Sequence, residues 1–422
     1  MKKEKWLLQE INSWQQLALI DSKTAEILKG RYSQKKSVNF IIVLFSIIGA
    51  LLIGTGVILI GARNWEYFPM PLRVGIAFFP LVVSQALAVF TVKAKYESLA
   101  WRESVAVLVT ASVFAAVALV GQVFHLPGDF GTYVLTCGLL SLPILFILNA
   151  ASPLIVYYWT ILNWAALESS PLNALILFGL FALGVLFVYL RKNEESVRAA
   201  YMTWVTVFAG FALVFIMGIM LECSLLLAAL CYFVLLLSVE GLPRRLLVPF
   251  MIVGTLGGLV TTAILTYEGM WDMWLQRGNA ASIGGGIMVG AMLVAASFFA
   301  IRTLKDDRLK FSFLASLLLL CVLRFIWQMT GFIPPFLLML ISNLIMLSIG
   351  VGFIVQGVKN ATLLQTNVGM VVTCTLIVMR FFDSNMDFLW RGIVSLLLGV
   401  AFLLVNVKIL HSKKQQNQEE VA

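Results

Sequence analysis

The sequence contains few charged residues. Only 12% of its 422 residues are Asp, Glu, Lys or Arg, whereas 61% are hydrophobic. Soluble domains carry about 25% charged and about 45–50% apolar residues, so this composition excludes a soluble domain. The apolar residues form continuous runs of about 18 or more, which predict membrane-spanning helices. Because the runs show no alternation of period two, they exclude a membrane β-barrel.

Histidine and cysteine are also scarce, with two and five residues respectively. The cysteines lie in or beside apolar runs without CxxC spacing, which is typical of small buried hydrophobic residues. No nucleophile–base pair or metal-ligand set occurs, so we expect no enzymatic activity, no metal and no cofactor. We also expect no cleaved signal peptide, because no small-residue cleavage site follows the first apolar run.

The apolar runs predict an all-α, polytopic transmembrane bundle of about fourteen spans. A cytoplasmic head, residues 1–36, precedes it, and its apolar residues recur at helical spacing. Asp21 is the predicted N-cap of the second helix of this head. The predicted spans are 40–61, 72–92, 104–124, 130–150, 153–167, 172–190, 199–220, 223–239, 246–267, 281–302, 309–329, 333–357, 362–382 and 387–409.

These spans predict five regions. The amphipathic head, 1–36, is followed by a four-span N-terminal domain, 40–150, and by the middle spans, 153–302. A C-terminal four-span unit, 309–409, and a disordered tail, 410–422, complete the chain. Glycines at Gly284–Gly286 and Gly290 predict close helix packing, since they lack the Lys-Ser/Thr of a phosphate loop.

The basic residues indicate the orientation. In the fourteen-span arrangement, 24 of the 30 lysines and arginines lie on the side of the N-terminus. The positive-inside rule therefore predicts a multi-pass protein of the inner (plasma) membrane with both termini cytoplasmic. It also accounts for the net charge of +9 without nucleic-acid binding. The six remaining basic residues are Arg63, Arg73, Arg277, Arg324, Arg380 and Arg391.

Several motifs resemble a family of predicted bacterial membrane proteins, domain of unknown function 2157. The likeness covers about residues 6–150 and, more moderately, the last 60 residues. The resemblance implies fold and location only, since the family has no assigned activity. The matching residues are Trp14 with Ala18-Leu19-Ile20, Asn64-Trp65, Glu103, Gly121-Gln122-Val123-Phe124-His125, Gly128-Asp129, and Arg380-Phe381-Phe382-Asp383 with Arg391 and Gly399.

Ionisable residues inside membrane spans are functional candidates, because their insertion costs about 2.5–3.5 kcal/mol each. Arg324 and Arg380 lie within the eleventh and thirteenth spans. One hypothesis is an outward-facing cluster that binds an anionic or zwitterionic group. The alternative is that these charges lie at helix ends and extend to the interface. The candidate substrate-binding residues are Arg324, Arg380, Asp383, Asp387, Arg391 and Arg73.

A second polar set, Gln122, His125 and Asp129, lies at the outer end of the third span. It suggests a proton relay, since histidine titrates near neutral pH; an interfacial hydrogen-bonding role is the alternative. Glu103 begins the third span, where an acid complements the helix N-terminus. Trp65 is typical of an interfacial aromatic belt.

Two functions follow from these patterns. The first is a carrier or flippase-like transporter of a small or lipid-linked polar solute. The alternative is a non-catalytic scaffold or sensor that recruits a cytoplasmic protein through residues 1–36. An intramembrane enzyme ranks third. The expected partners are the lipid bilayer and, in the second case, that cytoplasmic protein.

Overall fold

A computed structural model describes most of the chain outside the first and last predicted spans. The described residues are 10–17, 19–33, 65–168, 170–191, 197–222, 224–272, 283–302, 308–330, 332–360 and 362–381, with single positions up to 400. Throughout these residues the regular structure is helical, with no strand, which confirms the all-α fold class. The chain divides into two compact units, residues 1–75 and 76–422.

In the first unit, residues 10–16 are helical and α1 spans Ser22–Ser33. The backbone N–H of Thr24 donates to Asp21 Oδ1 at 3.3 Å, as predicted for an N-cap. A hydrogen bond from the Thr24 side chain, and after it this backbone contact, hold the pKa of the Asp21 carboxyl below its ordinary value. A turn of 3₁₀-helix follows at Trp65–Tyr67.

Long helices make up the second unit. A helix occupies each of the twelve predicted spans between 72–92 and 362–382, whereas 40–61 and most of 387–409 lie outside the described residues. The helices are α2 Met70–Ala94, which starts in the first unit, α3 Leu99–Val123, α4 Phe130–Ile147, α5 Ser152–Leu167, α6 Pro171–Tyr189, α7 Val197–Met220, α8 Leu225–Leu237, α9 Arg244–Ile264, α10 Gly269–Asp272, α11 Ile283–Arg302, α12 Arg308–Thr330, α13 Pro335–Lys359 and α14 Leu363–Phe381.

Eight of the described helices are long and apolar enough to cross a membrane. They are α2, α3, α4, α6, α7, α9, α13 and α14. Three shorter apolar segments lie within α8, α11 and α12. The membrane fold is therefore confirmed, while the count of fourteen spans stays a prediction.

Two short helices lie at the centres of the two largest apolar cores. In α5, Leu154, Tyr157 and Ile161 are buried among residues of α4, α6 and α7. In α8, Leu230 and Val234 are buried among residues of α11 and α12. Both helices contact protein over most of their surface. They are therefore less exposed to lipid than the longer helices and can be shorter than a lipid-facing span.

Glycines bring α13 and α14 into close contact. A methyl group added at Gly369 would lie 2.6 Å from Gly350 O and 2.7 Å from Ile354 N. These are backbone atoms, so the helices could accommodate it only by moving apart. The glycines predicted to pack closely behave differently. Among the described residues, nothing lies within 4 Å of a methyl group at Gly286 or Gly290.

We expect Gly369→Ala to destabilise the protein by about 1–3 kcal/mol, the usual cost of overpacking. Alanine normally stabilises a helix relative to glycine by about 1 kcal/mol. A loss of stability would therefore come from the contact between α13 and α14 and not from helix propensity. Gly179→Ala on α6 is the matched control, because its added methyl group meets nothing within 4 Å. The measurement is the thermal unfolding midpoint in detergent. An equal or higher midpoint for Gly369→Ala would contradict the packing described here.

Candidate functional site

The polypeptide leaves its helical path at the end of α9. Residues 265–268 form a turn, and the four-residue α10 follows. Leu265, Thr266 and Trp271 are fully buried in this segment. Carbonyls freed by a helix break cannot bond to water inside a membrane protein, so they need donors from the protein. One comes from the segment itself, where Trp271 Nε1 donates to Leu265 O at 2.8 Å.

Arg324 of α12 supplies a second donor. Its side chain is 1% exposed, and Nη1 donates to Trp271 O at 3.0 Å. The guanidinium carbon lies 4.7 Å from the ring centroid of Trp327 and 5.5 Å from that of Trp271. Desolvated cation–π contacts of this kind contribute about 2 kcal/mol. Trp327 lies one helical turn after Arg324, so α12 provides both the cation and one of its rings.

Arg380 reaches the same turn from α14. Its half-buried guanidinium donates from Nη2 to Thr266 Oγ1 at 3.3 Å and lies 4.8 Å from the Tyr267 ring centroid. Tyr267 in turn donates its hydroxyl to Met379 O at 3.3 Å. These contacts join the C-terminal end of α14 to the turn after α9.

Asn343 of α13 completes the arrangement. Its Nδ2 donates to Thr266 O at 3.1 Å and to Met339 O at 2.8 Å. Its buried Oδ1 has no hydrogen-bond partner within the described residues. A buried acceptor left without a donor is unusual and marks the site as polar but incompletely bonded. We call the set Arg324, Arg380, Asn343, Tyr267, Trp271 and Trp327 the arginine–aromatic cluster.

Of the predicted substrate-binding residues, the structure brings together Arg324 and Arg380. Asp383, Asp387 and Arg391 lie outside the described residues. Arg73 belongs to the first unit, where it donates to the carbonyls of Glu66 and Phe68 at 2.7 and 2.8 Å.

Sequence reasoning missed the other members of the cluster. Asn343 is an amide inside an apolar run, and Trp327 has helical spacing to Arg324. Both residues could therefore have been identified from the sequence. Tyr267 and Trp271 carried none, because only the helix break after α9 brings them to the arginines.

The structure does not join Gln122, His125 and Asp129 into a hydrogen-bonded relay. Within the described residues, Gln122 and His125 are exposed and their side chains form no hydrogen bond. Asp129 is the N-cap of α4 and accepts hydrogen bonds from Thr132 N at 2.7 Å and Thr132 Oγ1 at 2.9 Å. Those bonds hold the pKa of the Asp129 carboxyl below its ordinary value. The relay therefore stays a prediction without geometric support.

Glu103 serves a helix other than the one in which it lies. The sequence indicated a structural role at a helix N-terminus; in the structure the carboxylate bonds the N-terminus of α5 rather than that of α3. Its Oε1 accepts from Ala151 N at 2.8 Å, and Oε2 accepts from Ser152 N at 2.9 Å and Ser152 Oγ at 2.6 Å. The N-cap of α5 is Ala151, which has no side-chain acceptor. Glu103 thus caps α5 from α3.

The remaining motif residues are dispersed. Trp65 is buried and Trp14 is half-buried. The interfacial position of Trp65 stays a prediction. Asn64 lies outside the described residues. In the described part of the chain, no group of three or more His, Cys, Asp or Glu could hold a metal ion.

We expect Glu103→Gln to destabilise the protein by about 2 kcal/mol. The substitution removes a charged acceptor from three hydrogen bonds and turns an amide NH₂ toward backbone donors. The thermal unfolding midpoint in detergent measures this effect. Glu97→Gln, at an exposed acid in the preceding loop, is the control and should change little. Equal midpoints for the two variants would contradict the capping role.

The comparisons with known proteins concern the N-terminal third of the chain. No curated protein and no solved structure shows a significant match. A family model does match, and the matched segment includes Glu103, Ala151 and Ser152. Residues 12–154 match the family described as Predicted membrane protein (DUF2157), which confirms the resemblance inferred from the N-terminal motifs.

Proposed function

We propose that this membrane protein is a carrier of flippase type for a lipid-linked or small polar solute that bears a negative charge. The arginine–aromatic cluster would recognise the charged group. The observation that carries the proposal is the convergence of two guanidiniums, from α12 and α14, on a buried turn between α9 and α10. Membrane carriers commonly bind their solutes at such interrupted helices, where unwound backbone and helix ends face the solute.

The side chains of the cluster suit an anionic group. A guanidinium offers a planar fork of N–H donors that matches phosphate and carboxylate oxygens. Aromatic rings around it exclude water and keep the cation oriented. Asn343 Oδ1 adds a buried acceptor for a hydroxyl or amine of the same solute. The cluster can therefore distinguish a charged headgroup from the surrounding lipid chains.

The enclosed arginine implies that binding requires a movement. Arg324 is 1% exposed and is bonded to Trp271 O. A solute reaches it only when the segment 265–272 moves away and the anion replaces the carbonyl as acceptor. Arg380 is half-buried and is the first guanidinium that an entering solute would meet. Location in a bacterial inner membrane with cytoplasmic termini is part of this proposal and rests on the distribution of basic residues.

The test is a lipid-movement assay in reconstituted vesicles. The full chain is incorporated into vesicles that contain fluorescently labelled phosphatidylglycerol, and dithionite then bleaches the label in the outer leaflet. We expect the protein to expose inner-leaflet label that stays protected in protein-free vesicles. Arg380→Gln should slow this exposure by about 10–100-fold, since a hydrogen bond to a charged group contributes about 1.5–3 kcal/mol.

Two controls separate recognition from folding. Arg380→Lys keeps the charge without the planar fork and should retain part of the rate. Lys310→Gln removes a cation that pairs with Glu240 at 3.4 Å, away from the cluster, and should leave the rate unchanged. If wild-type protein leaves the inner-leaflet label protected, movement of this anionic lipid is excluded.

The scaffold alternative predicts the opposite effects for the two variants, the head deletion and Arg380→Gln. If the protein acts by recruiting a partner through its head, deletion of residues 1–36 should abolish its cellular function, and Arg380→Gln should be mild. Under the carrier proposal, the deletion leaves lipid movement in vesicles intact while Arg380→Gln reduces it. Comparing the two variants in the same assay and in cells decides between these functions.

A further inference from the structure

A second site lies at the opposite end of α9 from the arginine–aromatic cluster. There α6, α7, α8 and the first turns of α9 enclose a cavity of about 200 Å³. Its walls include Phe181, Val207, Leu236, Leu246 and Phe250. This end of α9 lies on the side predicted to be cytoplasmic.

The hydroxyl groups in the cavity wall are already bonded to the protein. Thr203 Oγ1 donates to Ala200 O at 2.7 Å, and Thr206 Oγ1 donates to Met202 O at 2.9 Å. Tyr232 donates its hydroxyl to Val207 O at 2.5 Å. These polar atoms serve the helix backbones, so the cavity presents hydrocarbon to an occupant. An apolar chain fits this lining better than a polar solute does.

The cavity opens toward the outside of the bundle along α6. Val185 and Tyr189 line it and are 39% and 54% exposed. On a membrane helix such exposed side chains face lipid. The cavity is therefore accessible to a chain that enters sideways from the bilayer, without passage through the bundle.

Positive charge lies at the α9 edge of the cavity. Arg244 and Arg245 are exposed and stand between two lining residues, Leu242 and Leu246. They occupy the first turn of α9, which has no acidic residue and whose N-cap, Pro243, makes no side-chain capping bond. The partial positive charge of the helix terminus adds to that of the two arginines. An anionic headgroup complements this edge while its chain fills the cavity.

We propose that this cavity binds one acyl chain of an anionic phospholipid, with the phosphate of that lipid at Arg244 and Arg245. The site is assembled from residues other than those of the arginine–aromatic cluster. It therefore stands whether or not the cluster transports a solute.

The experiment is native mass spectrometry of the full chain purified in detergent, with added phosphatidylglycerol or phosphatidylcholine of identical acyl chains. We expect wild-type protein to retain one phosphatidylglycerol under activation that strips phosphatidylcholine. Val185→Trp places a large ring at the opening and should abolish this retained adduct. Leu186→Trp is the matched control, since residue 186 neighbours 185 on α6, is 46% exposed and does not line the cavity.

The headgroup contact is tested at exposed positions, where folding is not at risk. Arg244→Gln and Arg245→Gln should each weaken phosphatidylglycerol binding about fivefold, the effect of about 1 kcal/mol per basic residue near a membrane surface. Lys359→Gln, at an exposed lysine that ends α13, should have no effect. Equal retention by Val185→Trp and Leu186→Trp, or equal retention of the two lipids by wild-type protein, would mean annular lipid only and would overturn the proposal.

Discussion

Backbone groups freed inside an apolar bundle must be bonded by protein, and much of the polar structure here follows from that constraint. The helix break after α9 frees carbonyls at Leu265, Thr266 and Trp271. Trp271 Nε1, Asn343 Nδ2 and Arg324 Nη1 satisfy them in turn. Two helices beside the turn, α12 and α13, are thus fixed to it by side chains whose burial would otherwise be unfavourable. The buried arginine donates to one of the carbonyls that the helix break frees.

Glu103 bonds backbone groups of the opposite polarity at another helix end. The start of α5 frees N–H groups instead of carbonyls, and a carboxylate rather than a guanidinium accepts from them. Charge sign therefore follows the polarity of the helix end that each side chain serves. Glu103 and Arg380 differ in how readily each could bind another partner. Glu103 has its two oxygens engaged by α5, so it acts as a structural cap. The half-buried Arg380 bonds to a side-chain hydroxyl, which leaves it better placed to exchange partners.

Helix positions could be predicted from the sequence because a membrane span is a local property of about twenty residues. The Asp21 cap is local as well, since its partner is three residues away. The partners of Glu103, Arg324 and Arg380 are 48, 53 and 114 residues distant. No spacing rule encodes such pairs. The sequence therefore singled out these charged residues but identified the partner of neither Glu103 nor Arg324.

Transport would carry a solute past α9, and the packing of this helix shows which residues stand between its two ends. Gly257 lies directly against the Phe233 ring, and Gly254 and Gly258 lie against Leu237 and Leu317. This glycine-lined surface holds α9 close to α8 and α12. Glycine surfaces also let helices slide or separate without interlocked side chains. A shift of α9 would move the turn at its C-terminal end away from Arg324, and would change the cavity at its N-terminal end. Under the carrier proposal, α9 is therefore the element best placed to couple binding at the cluster to movement of the solute.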